Sequence, residues 1–379
     1  MADHRPTVLV FGTYDLGGGR LRSVLGAMRH RGWRIEACHA RLWEGSAAKV
    51  AVFRGTRLLH LMARAAVLYP LLVARALGRL PVDFMLIPTG GFLDILFGWP
   101  AARLAGARVI FDPLYGVHET VVEDRRLVPP QSLTARATRW ADRLCFRLAD
   151  VVLIDTEEHA EYLARTVGLT RRRMIVVPVG AEDDLFLAPS DAPPRNAPAG
   201  LDVLFYGTMI PLHGADAIVR AACLITDPEV RFTLVGRGQM SGEIEALARD
   251  LKSANIRFVP GVPYEALPRL IRDADVCLGI FGTTAKAQYI VPTKLYQCMA
   301  MGRPVVTGDT PATRRLFRPG EHLLTVPCGN AAALAGAILR LKNDPALRRR
   351  LGAAARAWYT ERFAAGALAA PLAPLEAYA

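Results

Sequence analysis

Ala285-Lys286-Ala287-Gln288-Tyr289-Ile290-Val291-Pro292-Thr293-Lys294-Leu295-Tyr296-Gln297-Cys298-Met299-Ala300-Met301-Gly302-Arg303-Pro304-Val305-Val306 is the stretch that decides the fold. A strand-like run, Val276 to Ile280, feeds a loop carrying Lys286, and Pro292-Thr293 is a helix-start signal. The helix presents Lys294 and Gln297, stops at Gly302 and gives way to a second strand at Pro304. The unpaired N–H groups of a helix start, its positive dipole end and two lysines bracket one small volume, which suits a diphosphate. Taken alone, the stretch also fits a basic turn whose lysines face water.

The same alternation extends in both directions. Short apolar runs at Thr7–Phe11, Phe84–Pro88, Arg108–Phe111, Val151–Asp155 and Met174–Pro178 are separated by helical patterns. This is the signature of a parallel sheet with helices on both faces. The pattern stops at the Pro-rich segment 189–200, which reads as a linker. It resumes with strands near Val203–Tyr206, Arg231–Val235, Arg257–Val259, Val276–Ile280, Pro304–Thr307 and His322–Val326. The expectation is an α/β protein of two doubly wound, Rossmann-like domains facing each other across a cleft. They span 1–188 and 201–358, and ligands are expected at the carboxyl ends of the strands. The tail, 359–379, is expected to pack back toward the first domain.

A chain of 379 residues, 52% of them hydrophobic, has enough apolar surface for two such cores. Six cysteines lie scattered without a C-x-x-C pair, as reduced core residues of a cytoplasmic protein do. The first strand begins at Thr7, which leaves no room for a signal peptide, and the longest charge-free run near residue 70 is too short to cross a bilayer. Neither a histidine pair at metal spacing nor a D-x-D after a strand is present, so no metal and no cofactor are expected. Of the net charge of +12, residues 1–180 carry +9. That points to an anionic surface or substrate on that side. Nucleic acid is disfavoured because the basic residues are not interleaved with exposed aromatics. Residues 50–80 read as a helix broken or bent at Pro70. At about 100° per residue, Arg54, Arg57, His60, Arg64, Arg75 and Arg79 fall in a sector of roughly 120°. A peripheral contact of residues 54–79 with an anionic membrane, on its inner face, is therefore expected beside the plainer alternative of a core helix with solvated arginines.

Four motifs in order, from Leu201 to the end, resemble the family 4 glycosyltransferases of the GT-B fold. The resemblance is to the subgroup reading P-x-K-(L/V)-Y-(E/Q)-x-x-A-M-G-x-P-V. Val203 through Gly214 is similar to the first strand and glycine loop of the family's second domain. Phe232-Thr233-Leu234-Val235-Gly236-Arg237-Gly238 is similar to its second glycine turn. The quoted stretch matches its signature helix, and Asp344 through Phe363 its closing helix. The first half matches more loosely, through Phe11–Asp15, Phe111-Asp112-Pro113, Asp124-Arg125 and Ala149–Thr156. Two departures stand out. Tyr289 and Gln297 occupy the positions of the family's two glutamates, and Thr208 and His213 replace an arginine and a lysine.

The resemblance implies a retaining, metal-independent hexosyltransferase of polysaccharide or cell-envelope synthesis. It would move a sugar from a nucleotide diphosphate donor to a glycan, lipid-linked or small-molecule acceptor. An epimerase on the same architecture, or a silent nucleotide-binding protein, are the alternatives. On the donor side the implied residues are Gly207, Thr208, Gly236, Arg237, Gly238, Lys286, Pro292, Thr293, Lys294 and Gln297. Lys286 and Lys294 would supply charge, Gln297 would hold ribose, and His213 would act as a cation near the β-phosphate. Gly17, Gly18, Asp112, His118 and Arg125 are the candidates for the acceptor, and His213, Asp112 and Lys286 those for catalysis. Gly17–Gly19 also fits a plain surface turn, and Asp155-Thr156-Glu157-Glu158 reads as a helix N-cap.

Overall fold

Among the described residues, twelve strands, all paired in parallel, form two separate sheets. A computed structural model describes residues 5–42, 56–187 and 200–378, with the side chains of 56–59 and 61 left aside. The expected linker therefore lies outside the described residues except for Gly200, as do Arg54 and the side chain of Arg57. Two units emerge. Unit 1 comprises Met1–Thr120, Val128–Pro178 and Leu368–Ala379, and unit 2 comprises Val121–Leu127 and Val179–Ala367.

In unit 1 the strands are β1 (Thr7–Gly12), β2 (Arg34–His39), β3 (Phe84–Ile87), β4 (Arg108–Phe111), β5 (Val151–Ile154) and β6 (Met174–Val176). Their order is β2-β1-β3-β4-β5-β6. Successive side chains of a strand point to opposite faces, and β1 feeds two cores accordingly. Leu9 and Phe11 join the helices Thr56–Leu77, Phe92–Leu104 and Leu133–Leu148 on one face. Val8 and Val10 join the helix Gly19–His30 on the other, where Leu368, Leu372 and Leu375 are also buried. Arg31 and Trp33 fasten that last segment by hydrogen bonds to Glu376. The helix Thr56–Leu77 is continuous through Pro70, so of the break or bend expected there the break is absent.

In unit 2 the strands are β7 (Leu201–Tyr206), β8 (Val230–Val235), β9 (Ile256–Val259), β10 (Val276–Leu278), β11 (Val305–Gly308) and β12 (Leu324–Val326). Their order is β12-β11-β10-β7-β8-β9, which puts β7 beside β10 and reverses direction there. Loops after the carboxyl ends of two strands on either side of such a reversal diverge and leave a crevice. One local expectation is corrected: Lys286 sits not in an open loop but in a one-turn helix, Ala285–Tyr289, whose side chains Lys286, Ala287 and Tyr289 are buried.

Candidate functional site

Unit 2 assembles its site from the turns after β7, β8 and β10. Two of them are forced to be glycine. Gly236 has φ +128°, and a β-carbon there would lie 2.1 Å from the carbonyl oxygen of Gly207. Gly207 has φ +146°, and its β-carbon would lie 2.9 Å from Lys294 Nζ and 3.0 Å from His213 Cε1. The backbone after β7 is thus bare where Lys294 and His213 converge. A side chain at either glycine would be strained by its backbone angle as well as crowded.

Lys294 is the most unusual group in the unit. It projects from the helix Thr293–Ala300, is 6% exposed, and its Nζ has no hydrogen-bond partner among the described residues. It lies 4.0 Å from the ring centroid of Phe205, an attraction that offsets part of the cost of burial. Burial pushes the ammonium down to about 7. Pro292 precedes this helix in extended conformation and supplies no side-chain cap, so the first N–H groups have no cap from it. Pro292 and Thr293 are half-buried.

His213 closes the turn Pro211–His213, which packs against the short helix carrying Lys286. Its Nδ1 donates to the carbonyl of Thr208, leaving Nε2 as the acceptor of the ring. Burial and then the neighbouring Lys294 charge hold the imidazole well below its ordinary range. Two cations side by side in a desolvated site do not both keep their protons, so the pull at 213, where a cation beside the β-phosphate was expected, is toward the neutral ring. Lys286 is also buried, whereas Thr208, Arg237 and Gly238 are exposed. A cavity of about 440 Å³ opens beside Gly236 and Arg237, with Phe258, Pro260, Arg249 and Lys252 in its walls.

Gln297, expected to hold ribose, makes its hydrogen bonds within unit 2. It is 2% exposed, and its amide is bonded at both ends. Tyr206 donates to its Oε1 at 2.9 Å, and its Nε2 donates to the Tyr264 hydroxyl at 2.7 Å. Tyr264 in turn donates to Glu182 at 2.8 Å. The amide is therefore a strut that orients the helix carrying Lys294. Arg125 also changes sides: the segment 121–127 belongs to unit 2. Its carbonyl accepts from Gln239, and Asp124 accepts from Thr284 at 3.1 Å. The Arg125 charge acts on His213, and its buried Nε has no hydrogen-bond partner.

The remaining acceptor candidates lie in unit 1, and the structure does not bring them together. Asp112 is fully buried and taken up by Arg20, whose Nε lies 3.0 Å and 3.1 Å from the two carboxylate oxygens. Arg20 Nη1 is spent on the carbonyls of Val177 and Pro178. Burial pushes the Asp112 carboxyl up, with Arg20 pulling it back. An acid so enclosed holds the ends of β4 and β6 together, and that is where the structure places the residue expected to meet an acceptor hydroxyl. His118 is likewise enclosed: Nδ1 lies 2.9 Å from the carbonyl of Ala135, and Nε2 accepts from Arg139 at 3.0 Å. Gly17 and Gly18 form a turn in which both amides bond to Asp15. Sequence reasoning missed a buried group in the same unit. His159 lies between Asp155 at 2.7 Å and Glu119 at 3.2 Å. Burial alone would lower its pKa, but the two carboxylates outweigh it and hold it up at about 9. Thr156 caps the same helix, as read from the sequence.

Known proteins resemble both units of the chain. The family described as "Glycosyl transferases group 1" matches residues 200–344, and the "Glycosyl transferase 4-like domain" matches residues 17–180. A D-inositol 3-phosphate glycosyltransferase of Acidothermus cellulolyticus is 35% identical over 228 residues, which cover 55% of this chain and 49% of the relative. The chain spans about half the length of the curated relatives it matches. Among solved structures, the sucrose-phosphate synthase of Thermosynechococcus elongatus superposes with a TM-score of 0.73 at 20% identity, over 99% of this chain and 98% of the other. HepE of Anabaena, solved in complex with UDP and glucose, gives 0.72 at 17%, over 99% and 100%. At these identities the likeness concerns the fold, which is GT-B in both. With the two family matches together taking in both units, the chain belongs to the family 4 glycosyltransferases.

Proposed function

We propose that the protein transfers a sugar from a nucleoside diphosphate donor bound by unit 2 to a hydroxyl of a glycan, lipid-linked or small-molecule acceptor, with retention of configuration. One observation carries the reading. Lys294 is a buried ammonium with no hydrogen-bond partner, set over the bare Gly207 backbone and at the start of a helix. A buried charge without a partner is costly unless an anion joins it. A diphosphate supplies that charge. The bond from the anomeric carbon to the β-phosphate oxygen breaks, and negative charge grows on the leaving diphosphate. Lys294, the helix N–H groups and Arg125 are fixed in advance where it would grow. The acceptor oxygen bonds to the same face of the anomeric carbon, and its proton passes to the departing phosphate oxygen. The cavity beside Gly236 has the size to take the nucleoside end. Because side chains supply the positive charge, activity is expected to persist in excess chelator.

Calorimetric titration with uridine diphosphate and with uridine tests the assignment, UDP being chosen because HepE was solved with it. Lys294→Met is expected to weaken diphosphate binding by on the order of a hundredfold and to leave uridine binding nearly unchanged. Equal losses for both would remove Lys294 from the phosphate site. Failure of the uridine, guanosine and adenosine diphosphates alike to bind the parent protein would overturn the donor reading itself.

A further inference from the structure

The helices Thr56–Leu77, Phe92–Leu104 and Leu133–Leu148 lie side by side on one face of the unit 1 sheet and share its core. Their outward surface has an unusual composition. The only acids in the three helices, Asp94 and Asp142, are buried, while every arginine on them whose side chain is described is exposed. Asp94 accepts from Thr13 and Tyr69, and Asp142 from the amides of Val117 and His118. Both acids are consumed inside the unit and lend nothing to its exterior. Along the chain the bias continues, with no Asp or Glu between Glu44 and Asp83.

Between these arginines the surface is apolar. On the helix Phe92–Leu104 the exposed positions are Leu93, Leu96, Phe97, Pro100 and Leu104 with one arginine, Arg103. Val67 and Leu71 are more than half exposed on the neighbouring helix, whose Tyr69 stacks on Phe97 at 4.2 Å. On the third helix Trp140 is 66% exposed, at helical spacing from Arg136, Arg143 and Arg147. Exposed leucines alone need no explanation. Exposed apolar side chains on three adjacent helices, interspersed with arginines and with no exposed acid on those helices, and with a tryptophan among them, do.

We propose that this three-helix face seats unit 1 on the surface of a bilayer containing anionic lipid. Guanidinium groups meet lipid phosphates as planar bidentate donors. Trp140 and the leucines enter the boundary between headgroups and acyl chains, where an amphipathic ring is at home. No helix among the described residues is long and apolar enough to cross a membrane, so the contact lies in the plane of the surface. A nucleic acid would be met by the same arginines but gives Leu93, Leu96 and Leu104 nothing to bury against. That is why lipid is the occupant argued for. The inference does not depend on the donor site of unit 2.

Co-sedimentation of the full chain with phosphatidylcholine vesicles, with and without phosphatidylglycerol, tests it. Binding is expected only with the anionic lipid and is expected to fall as salt rises. Arg64→Gln, Arg75→Gln, Arg136→Gln and Arg147→Gln together are expected to weaken it by more than about a hundredfold. Trp140→Ala with Leu104→Ser is expected to weaken it while leaving the salt dependence in place. Circular dichroism melts of these surface variants confirm that they fold. Equal binding to neutral vesicles, no binding to either, or an unchanged quadruple variant would each overturn the proposal. So would a preference for heparin or DNA over the vesicles, or vesicle binding replaced by self-association through the same residues.

Discussion

Both units bury charge at the carboxyl ends of their parallel sheets, and they do so in opposite ways. Unit 1 pairs what it buries: Asp112 with Arg20, and His159 with Asp155 and Glu119. Unit 2 buries Lys294 over an aromatic ring with no hydrogen-bond partner for its Nζ. The result is an inversion of ordinary basicity, with a histidine held at about 9 and a lysine at about 7. A paired buried charge fixes geometry, whereas an unpaired one stores a demand that an incoming anion meets. By that criterion the polar core of unit 1 reads as scaffold, and the binding proposed above draws on the unpaired charge of unit 2.

The largest effect should come from breaking a pair in unit 1. Arg20→Met leaves Asp112 buried and unmatched, and is expected to cost about 3–5 kcal/mol. Hydrogen exchange across unit 1 peptides would read the loss, and Arg20→Met with Asp112→Leu should recover much of it. A single variant as protected as the parent would break the comparison. The reverse sign is expected in unit 2. Lys294→Met removes a desolvated charge and should stabilise that unit by on the order of 4 kcal/mol below about pH 7, in parallel with its loss of diphosphate binding.

The two shifted groups also predict opposite slopes with pH. The histidine is raised from about 6.5 unfolded to about 9. Its contribution is therefore fully present below about pH 6.5 and is lost as pH rises through 9, a span worth about 3 kcal/mol. The lysine is lowered from about 10.4 unfolded to about 7. Between those values the unfolded chain holds more protons, so stability rises with pH. Urea midpoints of the parent, His159→Gln and Lys294→Met across this range should show each variant losing its own slope, and parallel curves would mean that neither group is shifted. The smallest effect concerns the glycine contact. Gly236→Ala sets a β-carbon against the Gly207 carbonyl and is expected to cost about 1–3 kcal/mol. An unchanged melting temperature would show that the two turns have room to part.

Much of the fold was legible because parallel strands buried on both faces are continuous apolar runs. Val151–Ile154 and Val276–Leu278 are examples. β2, Arg34–His39, escaped because an edge strand keeps Arg34 and Glu36 in water and breaks the run. The donor turns were readable from Gly207, Gly236 and Lys294, since backbone demands leave glycine at fixed places. The pairings were not. That Arg20 meets Asp112, or Tyr206 meets Gln297, depends on contacts 92 and 91 residues apart in sequence. No local pattern announces them. Arg125 was read with the first domain because it precedes the linker, yet its segment sits in unit 2.

The burial of Leu368, Leu372 and Leu375 beside Val8 and Val10 has a consequence for biogenesis. One face of the first sheet is completed by residues translated after all of unit 2. During synthesis unit 1 must wait, its apolar surface uncovered, while unit 2 has every strand and helix it needs. The order of folding on the ribosome is thus expected to run against the order of the sequence. A chain truncated after Ala367 and released from the ribosome should protect unit 2 from protease while leaving unit 1 open to cleavage.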